Sequence, residues 1–66
     1  MKLIINGSDT EFSDNLTVEK LLERLEIEPA RVAVEVNLSI IKKVNYKACL
    51  LKEGDSVEIV NFVGGG

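Results

Sequence analysis

The clearest indication of the fold class is the stretch at residues 17–25, Thr-Val-Glu-Lys-Leu-Leu-Glu-Arg-Leu. It predicts one amphipathic helix in a chain that otherwise favours strands. Thr17 is a good N-cap, and Glu19 places negative charge in the first turn, where the helix dipole favours it. Pro29 prevents the helix from continuing much beyond Ile27. The apolar residues recur at i, i+3, i+4 and i+7 and form a single stripe to be buried: Val18, Leu21, Leu22 and Leu25.

The segments on either side of this helix have the composition and alternation of β-strands. The first ends in Asn6-Gly7, the strongest short signal for a hairpin. The predicted strands are residues 2–6, 10–12, 31–36, 40–41 and 56–62. The order strand, strand, helix, strand, strand, strand (ββαβββ) predicts an α+β domain in which the helix packs on one face of a mixed sheet. We expect the two terminal strands to lie side by side in the middle, since each is the more apolar of its pair.

Composition limits what so short a chain can do. Sixty-six residues form one domain with a small core, which leaves little room for an enclosed substrate pocket. With no histidine and one cysteine, we expect no metal site, no bound cofactor and no Cys–His nucleophile. A net charge of −3 gives no basic footprint for nucleic acid, and no apolar run is long enough to span a membrane. We therefore expect a cytoplasmic protein that is not an enzyme by itself.

Residues 42–52 have no clear periodicity, so only their anchors to the core are predicted. Tyr46, Leu50 and Leu51 are the expected anchors. Cys49 stands between apolar neighbours and is interpreted as a small buried hydrophobe. The pattern leaves open what this segment contacts on a partner.

The chain divides into a folded domain, residues 1–62, and a flexible tail, Val63-Gly64-Gly65-Gly66. Nothing follows the glycines in this sequence, and we expect them to lead only to an α-carboxylate. Without Cβ atoms, such a tail can thread a narrow channel and present the carboxylate to another protein's active site. The alternative is a frayed end without a function.

The last strand predicts a contact surface beside this tail. If Val57 and Ile59 point to the core, alternation directs Glu58, Val60 and Phe62 outward. Two large apolar side chains exposed together indicate a docking surface for a partner. The alternative is that Phe62 folds over the end of the sheet and is buried.

Four stretches together resemble the ThiS-like sulfur carriers of the thiamine pathway, a ubiquitin-like β-grasp family. They are LIING at 3–7, TVEKLLERL at 17–25, VAVEVNLSII at 32–41 and GDSVEIVNFVGGG at 54–66. The last is the most specific, because the tail and the strand before it match together. The resemblance covers essentially the whole chain and implies the β-grasp fold.

The resemblance also implies a chemistry for the tail. A ThiF-like adenylyltransferase would use MgATP to adenylylate the carboxylate of Gly66, with Gly64 and Gly65 threaded into its active site. Sulfur from a persulfide donor protein would then give a thiocarboxylate at Gly66. Thiazole synthase would take that sulfur for thiazole formation.

Other interpretations share some of these features. The small subunit of molybdopterin synthase is another β-grasp sulfur carrier with a Gly-Gly end, so the tail alone does not separate the two. The short length and the FVGGG ending favour the thiamine carrier. A ubiquitin-like interaction module with an incidental tail, or a modifier attached to lysines, is a different class of function.

Overall fold

The computed structural model describes residues 1–62, which form one mixed sheet of five strands with a single α-helix against it. The elements in chain order are β1 (Lys2–Ile5), β2 (Ser8–Glu11), α1 (Val18–Arg24), β3 (Val32–Val36), β4 (Ser39–Ile41) and β5 (Ser56–Asn61). Two single-turn 3₁₀ helices, Pro29–Arg31 and Lys43–Asn45, lie in the connections. The expected ββαβββ order is confirmed, and so is the α+β class.

The sheet order is β2-β1-β5-β3-β4, which places the last strand in the centre. β1 and β5 run parallel, with Ile4 opposite Ser56 and Ile5 opposite Val57, while the other pairs are antiparallel. The prediction that the terminal strands are neighbours is confirmed. β5 pairs with β3 from Val57 to Asn61 but with β1 only at Ser56 and Val57, so its last residues have a strand partner on the β3 side alone.

The hairpin between β1 and β2 follows from Asn6 and Gly7, whose φ angles are 48° and 84°. Two consecutive left-handed residues give the turn whose twist matches a hairpin, and Asn-Gly is the pair that adopts it most readily. The Asn6 side chain also binds the neighbouring strand. It donates to the carbonyl oxygen of Ile59 at 3.3 Å and accepts from the Ile59 amide at 2.7 Å. Asn6 therefore closes the turn and extends the pairing of β1 with β5.

The helix begins as predicted but ends earlier. Thr17 is the N-cap, and its hydroxyl oxygen accepts a hydrogen bond from the Lys20 amide at 3.2 Å. The helix stops at Arg24 instead of near Ile27, because Glu26 takes a left-handed conformation with φ 59°. The amide of Ile27 then binds the Leu22 carbonyl, and the amide of Glu26 binds the Glu23 carbonyl. This pair of bonds is a Schellman motif, with glutamate where glycine is usual.

The core lies between α1 and the sheet face that it covers. The fully or nearly buried side chains are Leu3, Leu16, Val18, Leu21, Leu22, Val32, Val34, Tyr46, Leu51 and Val57. Leu25 is half-buried at the edge of this cluster, because the helix has ended there. The predicted apolar stripe of the helix and the inward alternation of the strands are otherwise confirmed.

The segment from 42 to 52 closes the core and caps the helix. The carbonyl of Cys49 accepts from the Val18 amide at 2.9 Å, and the carbonyl of Tyr46 accepts from the Glu19 amide at 3.1 Å. Amides in the first turn of a helix lack partners within the helix, so this segment supplies them.

Two predictions in this segment need correction. Leu50 is 57% exposed and is not a core anchor. Consecutive residues of an extended segment point in opposite directions, and here Leu51 takes the inward position. Cys49 is half-buried instead of buried, because it packs at the rim of the core.

Candidate docking face and tail

The sheet has one face covered by α1 and one open face. Alternation places on the open face the side chains that neighbour the buried ones: Asp9, Glu11, Lys2, Ile4, Asn6, Ser56, Glu58, Val60, Ala33, Glu35 and Ile40. All of them are exposed or half-buried. This face is therefore the side of the sheet that the helix leaves open to solvent.

The predicted outward pair is present at the end of β5. Val60 is 53% exposed and Phe62 is 54% exposed, so the alternative in which Phe62 is buried is wrong. The Phe62 amide donates to the Arg31 carbonyl at 2.9 Å, which continues the alignment of β5 with the chain entering β3. Because this bond fixes the backbone, the aromatic ring is presented at a defined place. The docking role of Glu58, Val60 and Phe62 stays a prediction.

Lys43 holds the Phe62 ring, a contact that the sequence did not reveal. Its ammonium lies 5.2 Å from the centre of the ring and donates to the Val32 carbonyl at 3.0 Å. A cation over an aromatic face is attracted by the ring electrons. Nothing in the sequence relates positions 43 and 62, so this contact was not predicted.

Across the sheet, Ala33 lies opposite Val60 and Glu35 lies opposite Glu58. Both glutamates are half-buried, and among residues 1–62 neither forms an ion pair. A docking role was predicted for Glu58 but not for Glu35. The missing information was the register of β3 against β5, which alternation alone does not supply.

Cys49 does not have the environment of a reactive thiol. Burial, and to a lesser degree the negative charge of Asp55, raises its pKa above the ordinary value for cysteine. The thiolate is the nucleophilic form, so a raised pKa makes this cysteine less reactive at neutral pH. It lines an open groove of about 450 Å³ together with Ile40 and Ala48, among others.

The described part of the chain also bears on two other classes of site, metal centres and membrane spans. Residues 1–62 hold no group of three or more Cys, Asp or Glu side chains arranged to bind a metal ion. Their helices are also too short and too polar to cross a membrane. The predicted tail residues Gly64, Gly65 and Gly66 lie outside the described residues.

A mixed sheet of order β2-β1-β5-β3-β4, crossed by one helix and joined through its central strand to a glycine-rich end, defines a ubiquitin-like β-grasp domain. The crystal structure of the thiamine biosynthesis protein ThiS from Geobacter metallireducens superimposes with a TM-score of 0.87 at 33% identity, covering 100% of both chains. The model of the ThiS family matches residues 3–66. The chain belongs to the ThiS family.

The relatives include small sulfur carriers and larger synthases. The sulfur carrier protein ThiS of Bacillus subtilis is 42% identical over 97% of this chain and 98% of its own. A thiazole synthase of Paramagnetospirillum magneticum is 48% identical over the whole of this chain, and one of Magnetococcus marinus is 39% identical. The chain spans only 20% of the length of each of these two synthases. A segment like this one therefore occurs both as a small protein and inside a larger one.

Proposed function

We propose that this protein is a sulfur carrier for thiazole formation in thiamine biosynthesis, and that Gly66 carries the sulfur as a thiocarboxylate. The observation that carries the proposal is the match to the ThiS family, which extends through the three glycines to residue 66. The proposal requires that the mature chain ends at Gly66 with a free carboxylate.

The chemistry explains why a carrier of this kind needs an activating partner. A carboxylate is a poor electrophile, because its carbon is electron-rich and oxide is a bad leaving group. Attack of a carboxylate oxygen on the α-phosphorus of MgATP releases pyrophosphate and forms an acyl-adenylate, from which AMP leaves readily. A persulfide sulfur then attacks the carbonyl carbon and expels AMP, giving an acyl disulfide. Attack of a thiol on its sulfur–sulfur bond releases the thiocarboxylate.

The folded domain holds and presents the tail, and the partner enzymes perform the catalysis. Among residues 1–62, the one thiol is half-buried and its pKa is raised, so it is a poor nucleophile. The partners are a ThiF-like adenylyltransferase and a persulfide donor protein. The third is thiazole synthase, and the two synthases that contain a similar segment support this choice.

The domain would first dock on the activating enzyme, and the tail would then be threaded into the active site of that enzyme. Val60 and Phe62 would pack against the activating enzyme, and Glu58 beside them would bind a polar group of that enzyme. Gly64 and Gly65 would then pass through a channel too narrow for side chains to the catalytic centre. Binding through the domain would bring the Gly66 carboxylate to MgATP without any contribution from the domain to the reaction.

Three altered proteins test whether the tail carries the sulfur. Gly65→Val should block thiocarboxylate formation by the activating enzyme, because a β-branched side chain restricts φ and widens the tail. Cys49→Ala should be modified like the parent protein. A third protein, with one residue added after Gly66, should bind the enzyme but not be activated. Full modification of the Gly65→Val protein, or isopeptide adducts on lysines in place of a thiocarboxylate, would contradict the proposal.

A further inference from the structure

We propose that Glu35 and Glu58 form one recognition element on the open face, which accepts an arginine of the partner within an apolar contact surface. The proposal rests on the proposed function, since the partner is the adenylylating enzyme. It assigns a role to Glu35 and states the chemistry that the enzyme must present.

The register of the sheet places the two carboxylates together. Glu35 on β3 is directly opposite Glu58 on β5, and the flanking pairs Val34–Ile59 and Val36–Val57 point to the core. Side chains directly opposite on an antiparallel pair have Cβ atoms about 4.5–5.5 Å apart. Two carboxylates at this separation match the two sides of one guanidinium group, which donates in a planar fork.

The pair differs from the other acids on the same face. Asp9 is 3.7 Å from the Lys2 ammonium, and Glu11 is 3.1 Å from the N-terminal ammonium of Met1. Within residues 1–62, Glu35 and Glu58 have no such partner. Like charges directly opposite each other destabilise a sheet. Removing one of the two carboxylates should therefore stabilise the fold. A cation bound between them would remove the repulsion between the two negative charges.

The surroundings determine which cation fits. Ala33, Val60, Ile4 and Ile40 are on the same face as the carboxylates, and Val60 and Ile40 are more than half exposed. A partner that covers these apolar side chains excludes water from the carboxylates, which strengthens a charge-assisted hydrogen bond. Arginine is favoured over lysine because it is planar, more weakly hydrated and able to bind both carboxylates at once. The acidic pair also opposes binding to anionic surfaces such as lipid bilayers and nucleic acids.

Binding of the purified adenylylating enzyme to full-length variants tests this inference. Glu35→Gln and Glu58→Gln should each weaken binding about 3- to 10-fold, mainly through faster dissociation, because the contact with the arginine is covered in the complex. The double variant should lose less than the product of the single losses, because both carboxylates serve one arginine. The melting temperatures of both variants should stay equal to that of the parent protein or rise.

Glu23→Gln is the matched control, because it removes one carboxylate from the exposed surface of α1, on the other side of the sheet. It should bind like the parent. If Glu23→Gln weakened binding as much as the Glu35 and Glu58 variants do, the effect would come from net charge alone, and the inference would be overturned. Unchanged binding of the Glu35 and Glu58 variants, with normal thiocarboxylate formation, would overturn the inference and leave the proposed function intact. If the pair is required for binding but Gly66 never gains sulfur, the inference survives and the proposed function fails.

Discussion

Phe62 is the last residue of the described domain, and its surroundings show how single side chains prepare the site. Its amide is bound to the Arg31 carbonyl, its ring is beneath the Lys43 ammonium, and about half of its surface faces solvent. An exposed aromatic ring that is held in place loses little conformational entropy when a partner covers it. Such residues dominate the binding energy of many protein interfaces.

Phe62→Asp should therefore weaken binding to the adenylylating enzyme by at least about tenfold, as expected for a central aromatic contact. Stability should change by no more than about 1 kcal/mol, because an exposed side chain and an exposed cation–π contact contribute little. Calorimetric binding and thermal melting measure the two effects separately. Leu50→Asp is the control: Leu50 is similarly exposed at 57% but lies beside the start of α1, so binding should be unchanged. Strong destabilisation by Phe62→Asp with intact affinity would place Phe62 in the core.

At the scale of the elements, the start and the buried face of α1 follow from its sequence, but its end does not. The N-cap at Thr17 and the apolar stripe follow from local patterns, and both are present. The end of the helix depends on Glu26, a residue with no sequence signal for a left-handed conformation. Because non-glycine residues rarely adopt positive φ, nothing in the sequence marked Glu26 as the end of the helix. The predicted end was therefore set by the next local signal, Pro29.

Glu26→Gly should stabilise the protein by about 1 kcal/mol, because glycine adopts the left-handed conformation without a Cβ clash. The same substitution in the helix interior, Glu23→Gly, should destabilise it by about 1 kcal/mol, since glycine is a poor helix former. Urea unfolding of both variants measures the two free energies. Destabilisation of equal size at both positions would mean that Glu26 is not in the conformation described.

As for the helix, the local features of the sheet were predictable from the sequence, and the features that depend on distant contacts were not. Alternation identified the strands and placed Val60 and Phe62 on the outside, and the Asn6-Gly7 turn gave the first hairpin. Features that depend on contacts between distant segments were not predictable, because a single sequence contains no register between strands. The Glu35–Glu58 pair and the Lys43–Phe62 contact are of this kind. Leu50 was misassigned because two adjacent leucines carry no signal for which one points inward.

At the scale of the whole molecule, the residues proposed to dock lie on β5, the central strand of the sheet. β5 is paired with β1 on one side and with β3 on the other, and Val57 is fully buried beneath the helix. The same strand contributes Glu58 and Val60 to the open face. In the sequence the glycines follow this strand after Phe62 and Val63, so only a few residues separate the proposed docking residues from the proposed site of sulfur attachment.

Under the proposed function, sulfur is carried at Gly66 and nowhere else. The most direct test is intact-mass and fragment spectrometry of the natural chain after incubation with the adenylylating enzyme, MgATP and a persulfide donor. We predict that the chain ends at Gly66 and that one oxygen of that residue is replaced by one sulfur. Sulfur found on Cys49, or a natural chain in which Gly66 is not the terminal residue when it reacts, would contradict the account.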